Sequence, residues 1–115
     1  MNDCLFCRLY HEGDHVAATD GFVAIRDINP QAPVHVLVIP KGAYVSSDDF
    51  GANASDAELA AFLRAISTLG RQLGVATDGY RMLANHGRDA NQEVPHFHVH
   101  IFGGRPLGRM IGKAS

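Results

Sequence analysis

The run His96-Phe97-His98-Val99-His100-Ile101-Phe102 alternates imidazoles with bulky apolar residues. Successive side chains of an extended strand point to opposite faces. His96, His98 and His100 are thus expected on one face, and Phe97, Val99 and Ile101 on the other. Imidazole has an ordinary pKa of about 6.5, close to neutrality, so it can attack, accept or donate a proton. Rings fixed side by side can divide those roles around one phosphorus or carbonyl centre. The plainer explanations are a half-buried polar face or a purification tag. A tag would be terminal and contiguous, and this run is neither. Gly103-Gly104 close the strand with backbone that a ligand can approach.

The elements that must position these rings are legible from patterning. Val16–Thr19 and Phe22–Arg26 flank Asp20-Gly21 as a hairpin. Val34-His35-Val36-Leu37-Val38-Ile39 is apolar on both faces except at His35, which marks a central strand. His35 alone would be an ordinary core histidine, but the His-rich strand gives it a possible partner. Ser46 to Asn53 reads as a polar loop. Ser55-Asp56-Ala57-Glu58 is a capping box. After it Leu59, Phe62, Leu63, Ile66, Leu69 and Leu73 trace the apolar stripe of a long helix that ends at Gly74. Tyr80–Asn85 is a further strand. The polar loop 86–95 then leads into the histidine strand, and Asn85 and Gln92 amides or loop N–H groups there could hold phosphate oxygens. The competing reading is a solvated connector. Asp27, at a strand end, could accept from a sugar diol or be a plain turn carboxylate. Strands separated by one long helix imply an α+β domain with an antiparallel sheet.

Length and composition set the bounds. The 115 residues suit a single domain spanning 1–115, and 46% hydrophobic content supplies a core. A net charge of −2 gives no footprint for nucleic acid. No apolar run approaches a membrane span, and Met1-Asn2-Asp3 does not open a signal peptide, so a cytoplasmic location is expected. Cys4-Leu5-Phe6-Cys7 opens a short helical pattern with three readings for its thiols. They could form half of a zinc site, act as a redox pair, or be small buried hydrophobes.

His96 to Phe102 matches the signature of the histidine triad (HIT) family. Asp27 to Lys41, Gly79-Tyr80-Arg81-Met82 and Gly103-Gly104-Arg105 resemble its Hint branch, so the likeness covers nearly the whole chain. The resemblance implies a five-stranded antiparallel sheet with one long and one short helix. It also implies a homodimer paired through the long helix and a central strand. The implied activity is nucleotidyl hydrolysis of the P–N bond of purine nucleoside 5′-phosphoramidates, of the AMP-lysine or AMP-NH2 type. By position, His98 resembles the nucleophile that forms a nucleotidyl-imidazole, oriented by the His96 carbonyl. His100 resembles the residue at the phosphate, and His35 the supporting histidine. Asp27 takes the ribose-diol place, and Asn85 that of a phosphate-side amide. Phe6, Leu9, Ile25, Ile28 and Leu37 fall where the family lines its base pocket, and Gln92, Glu93 and Val94 complete the substrate-contacting set. A histidine at 100 fits the hydrolases, since the transferase branch carries Gln there.

This chain departs from the family at three places. Glu93 replaces a serine that contacts the leaving group, leaving its preference open. Ala90-Asn91 replaces a flexible Gly-Gly pair. Ala43 replaces a histidine that zinc-binding relatives use, so Cys4, Cys7 and His96 would make a three-ligand site unless His11 or His15 completes it. The triad chemistry itself requires no cofactor. Alternative functions are a dinucleoside polyphosphate hydrolase, a zinc hydrolase using the same histidines, and a non-catalytic purine-nucleotide-binding protein.

Overall fold

The structure is a computed structural model that describes residues 15–19 and 21–111. Its sheet contains β1 (His15–Ala18), β2 (Phe22–Arg26), β3 (Val34–Pro40), β4 (Tyr80–Leu83) and β5 (Val99–Gly103). The spatial order is β1-β2-β3-β5-β4, and every neighbouring pair is antiparallel. The expected five-stranded antiparallel sheet is thus present. The histidine-bearing β5 lies between β3 and β4, so both its edges are hydrogen-bonded. The short N-terminal helix expected around Cys4–Tyr10 lies outside the described residues.

Two helices follow β3. The longer, α2 (Asp56–Gln72), begins at the expected capping box: Ser55 accepts from the Glu58 N–H, and Glu58 accepts from the Ser55 N–H. Its buried residues include Phe62, Ile66 and Leu69, which pack on Val36, Val38, Val99 and Ile101 of the sheet. Leu63, expected in the same stripe, is instead 59% exposed, because it lies one residue past Phe62 and turns off the sheet. The shorter helix, α1 (Ser47–Asn53), replaces the polar loop expected there. Ser46 caps it by accepting from the Asp49 N–H, Asp49 accepts from the Val45 N–H, and buried Phe50 anchors it. One bulky apolar residue, Phe50, in an otherwise largely polar septet is too weak a periodic signal for a helix. No helix among the described residues is long and apolar enough to cross a membrane.

The start of the histidine run differs from the expected strand. β5 begins only at Val99, and His96 and His98 precede the ladder. Pro95 has no N–H to donate to a ladder. The His96 N–H bonds the Val94 carbonyl at 2.8 Å, and the Phe97 N–H bonds Tyr44 O at 2.7 Å. Phe97 stacks on Phe50 at 4.9 Å between ring centroids and lies 5.4 Å from Phe62. The segment is therefore held from the helix side by aromatic packing rather than by strand pairing.

Candidate active site

The opposite face of β2, β3 and β5 carries the chemistry. Ile25, Leu37 and Ile39 form an apolar floor with Val23, and Val94 packs against it. His35 on β3 and His100 on β5 rise from this face, with His98 just before β5. A cleft of about 440 Å³ opens above His98 and His100, while His35 does not line it and lies buried against His100. It is lined by Ile25, Asp27, Ile28, Leu37, Asn85, Gln92, Glu93, Val94, His98 and His100, with Arg26, Gln31 and Asn91 beside them. Most residues nominated from the sequence thus meet in one place. Phe6, Leu9, Cys4, Cys7 and His11 lie outside the described residues.

His96 is a correction to the expected row of rings. Its ring does not line the cleft; it is buried, with a ring nitrogen 3.4 Å from the Pro40 carbonyl. Its backbone carbonyl is the part that reaches the site, 2.9 Å from His98 Nδ1. The turn at Val94–Phe97 breaks the alternation, so face assignment by period two fails at this residue. Gln92 is also engaged differently than expected. Its amide oxygen accepts from the Gly87 N–H at 2.9 Å, and its NH2 donates to Val45 O at 2.7 Å and Val94 O at 3.1 Å. It braces the loop that forms one cleft wall. Gly87 has φ +79°, a conformation that glycine adopts without strain.

The hydrogen bonds assign tautomers to the neutral rings. A carbonyl only accepts, so His98 Nδ1 carries the proton that bonds His96 O, and its lone pair is on Nε2. The Gln31 N–H only donates, and it lies 3.1 Å from His35 Nδ1. His35 therefore carries its proton on Nε2, 3.0 Å from His100 Nδ1. His100 accepts there and carries its own proton on Nε2. The rings of His98 and His100, with centroids 4.9 Å apart, thus present a lone pair and an N–H respectively.

Burial and electrostatics keep these rings neutral. His100 is pushed down to about 4, chiefly by burial and then by the adjacent His98 and His35. Burial likewise lowers His98, His35 and His96 below the ordinary imidazole value. Asp27 opposes this effect, its carboxylate lying 3.4 Å from His35 Nε2. The other Asp27 oxygen accepts from the Asn29 N–H at 2.8 Å, making a turn that fixes the carboxylate at the cleft edge. Asp27, His35 and His100 are a group among the described residues whose ligand atoms lie within 4.8 Å of one another and could hold a metal. The 3.0 Å contact between the two rings is nevertheless that of a shared proton.

Phe102 was missed in the sequence. It lies 4.2 Å from the His35 ring and stacks at 5.5 Å on His100, so it backs both imidazoles. Its place two residues after His100 was signal enough, since the same alternation puts both on one face.

Comparison with known proteins agrees with this geometry. A family model described as the HIT domain matches residues 10–107. An uncharacterized 13.2 kDa HIT-like protein of Azospirillum brasilense is 58% identical over 98 residues, covering 85% of this chain and 80% of that one. The purine nucleoside phosphoramidase of Escherichia coli K12 is 42% identical over 98 residues, covering 85% and 82%. Among solved structures, a HIT family hydrolase from Legionella pneumophila superposes with a TM-score of 0.86 at 36% identity, covering 96% of this chain and all of that one. One from Clostridium thermocellum gives 0.85, also at 36% identity, with 96% and 98% covered. With its histidine motif in this cleft and its HIT model match spanning most of its length, the chain belongs to the HIT domain family.

Proposed function

We propose that this protein hydrolyses the P–N bond of purine nucleoside 5′-phosphoramidates through a nucleotidyl-His98 intermediate. The observation that carries the reading is the pair of opposite tautomers on adjacent rings, His98 with its Nε2 lone pair and His100 with its Nε2–H. His98 Nε2 attacks phosphorus and the P–N bond breaks. The leaving nitrogen takes a proton from solvent and departs as an amine. Water then attacks the nucleotidyl-imidazole, returns one proton, and releases the nucleotide with His98 restored. The His96 carbonyl accepts from Nδ1–H as positive charge develops on the attacking ring. His100 donates Nε2–H to a phosphoryl oxygen as its charge grows.

The remaining residues suit the rest of such a substrate. Asp27 at the cleft edge receives the ribose diol, and Ile25 and Leu37 floor the base slot. Ile28 is 97% exposed at its rim, an apolar surface that a purine would cover. Asn85 and the loop bearing Glu93 face the phosphate and leaving group. The phosphoramidase named among the relatives supports the same reaction class. No cofactor enters these steps.

The protein works as a homodimer in this reading. Among the described residues β3 and β5 have both edges occupied, which leaves β4 as an open edge near the histidines. Exposed Leu63 on α2 and Met82 on β4 give that pairing an apolar surface. Sedimentation of the wild type and Leu63→Asp tests it, with a dimer and a monomer expected.

Hydrolysis of adenosine 5′-phosphoramidate, alongside a diadenosine polyphosphate, tests the activity. The phosphoramidate is expected to turn over with EDTA present and to be untouched by His98→Ala. Preference for the polyphosphate would favour the neighbouring hydrolase activity. AMP binding without turnover of either would make this a nucleotide-binding protein, and loss of activity to EDTA would indicate a metal site.

A further inference from the structure

We propose that Arg105, outside the cleft, is a positioning residue that sets the tautomer of His100 through the Gln31 backbone and His35. The inference rests on the phosphoramidase reading and adds to it the device that keeps a proton on His100 Nε2.

The segment Asp27–Pro33 joins β2 to β3, and Gln31 within it is exposed. Its N–H nevertheless performs a specific task, donating to His35 Nδ1 at 3.1 Å. Its carbonyl is held in turn by Arg105, whose Nη2 donates to it at 3.0 Å. The same guanidinium donates from Nη1 to Pro106 O at 2.9 Å, so the fork is fixed at both ends. Backbone packing reinforces the clamp. Gly104 has φ +92°, and a Cβ there would lie 2.9 Å from Pro33 Cβ. The chain leaving β5 is therefore seated on the same loop that Arg105 grips.

The proton sequence follows from donor and acceptor types. With Gln31 N–H on Nδ1, His35 holds its proton on Nε2 and donates it to His100 Nδ1. His100 then keeps its own proton on Nε2, facing the cleft. If the Gln31 residue swings away, His35 Nδ1 can take the proton instead. Two lone pairs would then face each other across 3.0 Å unless His100 also moves its proton to Nδ1. That exchange leaves the number of protons unchanged but removes the donor aimed at the phosphoryl group. The expected loss lies in the chemical step, because the nucleotide-binding floor is untouched.

The test compares wild type, Arg105→Ala, Arg105→Lys and Arg109→Ala by ¹⁵N-imidazole correlation spectra and steady-state kinetics. The wild-type spectra should show protonated Nε2 and lone-pair Nδ1 on His35 and His100. Arg105→Ala should mix those tautomers and lower kcat roughly 5- to 10-fold with KM little changed. Arg105→Lys should restore most of both, since an ammonium can still donate to the carbonyl. Arg109→Ala, which removes an equal charge from the same tail, should alter neither. Wild-type spectra in Arg105→Ala would overturn the relay, as would a kcat loss without a tautomer change. A wild type without turnover would overturn the phosphoramidase reading, and the imidazole spectra would still decide the relay.

Discussion

The two faces of the sheet come from the same strands and the same alternation, yet one is closed and the other open. On the helix side Val36, Val38, Val99 and Ile101 meet Phe50, Phe62, Ile66, Leu69 and Phe97 in a buried cluster. On the other side Ile25, Leu37 and Ile39 supply only a floor, and imidazoles stand where further apolar residues would close it. The first arrangement fixes backbone positions, and the second uses them. Stability and chemistry should therefore separate cleanly by face.

His98→Ala should break this comparison most visibly. Removing a nucleophile costs at least about 10³-fold in turnover. The ring lies on the open face, so thermal unfolding should shift by only a few degrees. Kinetics and a melting curve on one preparation check both halves. A large stability loss would mean that the two faces are not independent.

Phe62→Ala is the mirror experiment. Phe62 contacts both Phe50 and Phe97 within the buried cluster. Truncation should cost about 3–5 kcal/mol and lower the melting midpoint by more than about 10 °C. Well below that midpoint, KM should stay near wild type. Because Phe97 tethers the segment carrying His98, a modest fall in kcat would sharpen the comparison by showing how much the closed face contributes to ring placement.

The sequence made one face far more legible than the other. Capping at Ser55, the stripe through Phe62, Ile66 and Leu69, and the apolar run of β3 are periodic, and period follows from backbone geometry. His35, His98, His100, Asp27 and the pocket residues were nominated from motif likeness and alternation. The His96 ring escaped because one turn, imposed by Pro95 and by the His96 and Phe97 N–H bonds to the Val94 and Tyr44 carbonyls, interrupts the alternation. The bracing role of Gln92, which the sequence offers as a substrate contact, and the roles of Gln31 and Arg105 escaped for a different reason. Their roles are hydrogen bonds in which at least one partner is a backbone N–H or carbonyl, and side-chain type alone does not reveal such partners.

Gln92→Ala probes that hidden class of contact. It removes three bonds to Gly87, Val45 and Val94, which tie one cleft wall to the end of the α1 approach. At about 1 kcal/mol for a typical bond, partly recovered by water, the net cost should be about 1–2 kcal/mol. KM should rise several-fold as the wall loosens, with kcat less affected. Equilibrium unfolding and initial rates separate the two effects. Unchanged KM would assign Gln92 to stability alone.

The smallest expected effect is a near-absence of change with pH. A histidine titrating at about 6.5 would lose roughly three- to fourfold of its neutral form between pH 7.5 and 6. Burial holds His98 below that value, and burial with its neighbouring rings takes His100 down to about 4. kcat/KM should therefore change less over this interval than a free imidazole would, with its acid limb below the ordinary imidazole range. Stability carries the opposite signature. Unfolded histidines take up protons near pH 6.5 while the folded rings resist, so the unfolded state binds more protons below that point. Stability should fall as pH drops from about 6.5 toward the His100 value of about 4, while activity per folded molecule persists through the upper part of that window. Paired pH series of urea unfolding and kcat/KM check this divergence. Parallel decline of both from pH 7 would show that the open face solvates its rings more than their burial implies.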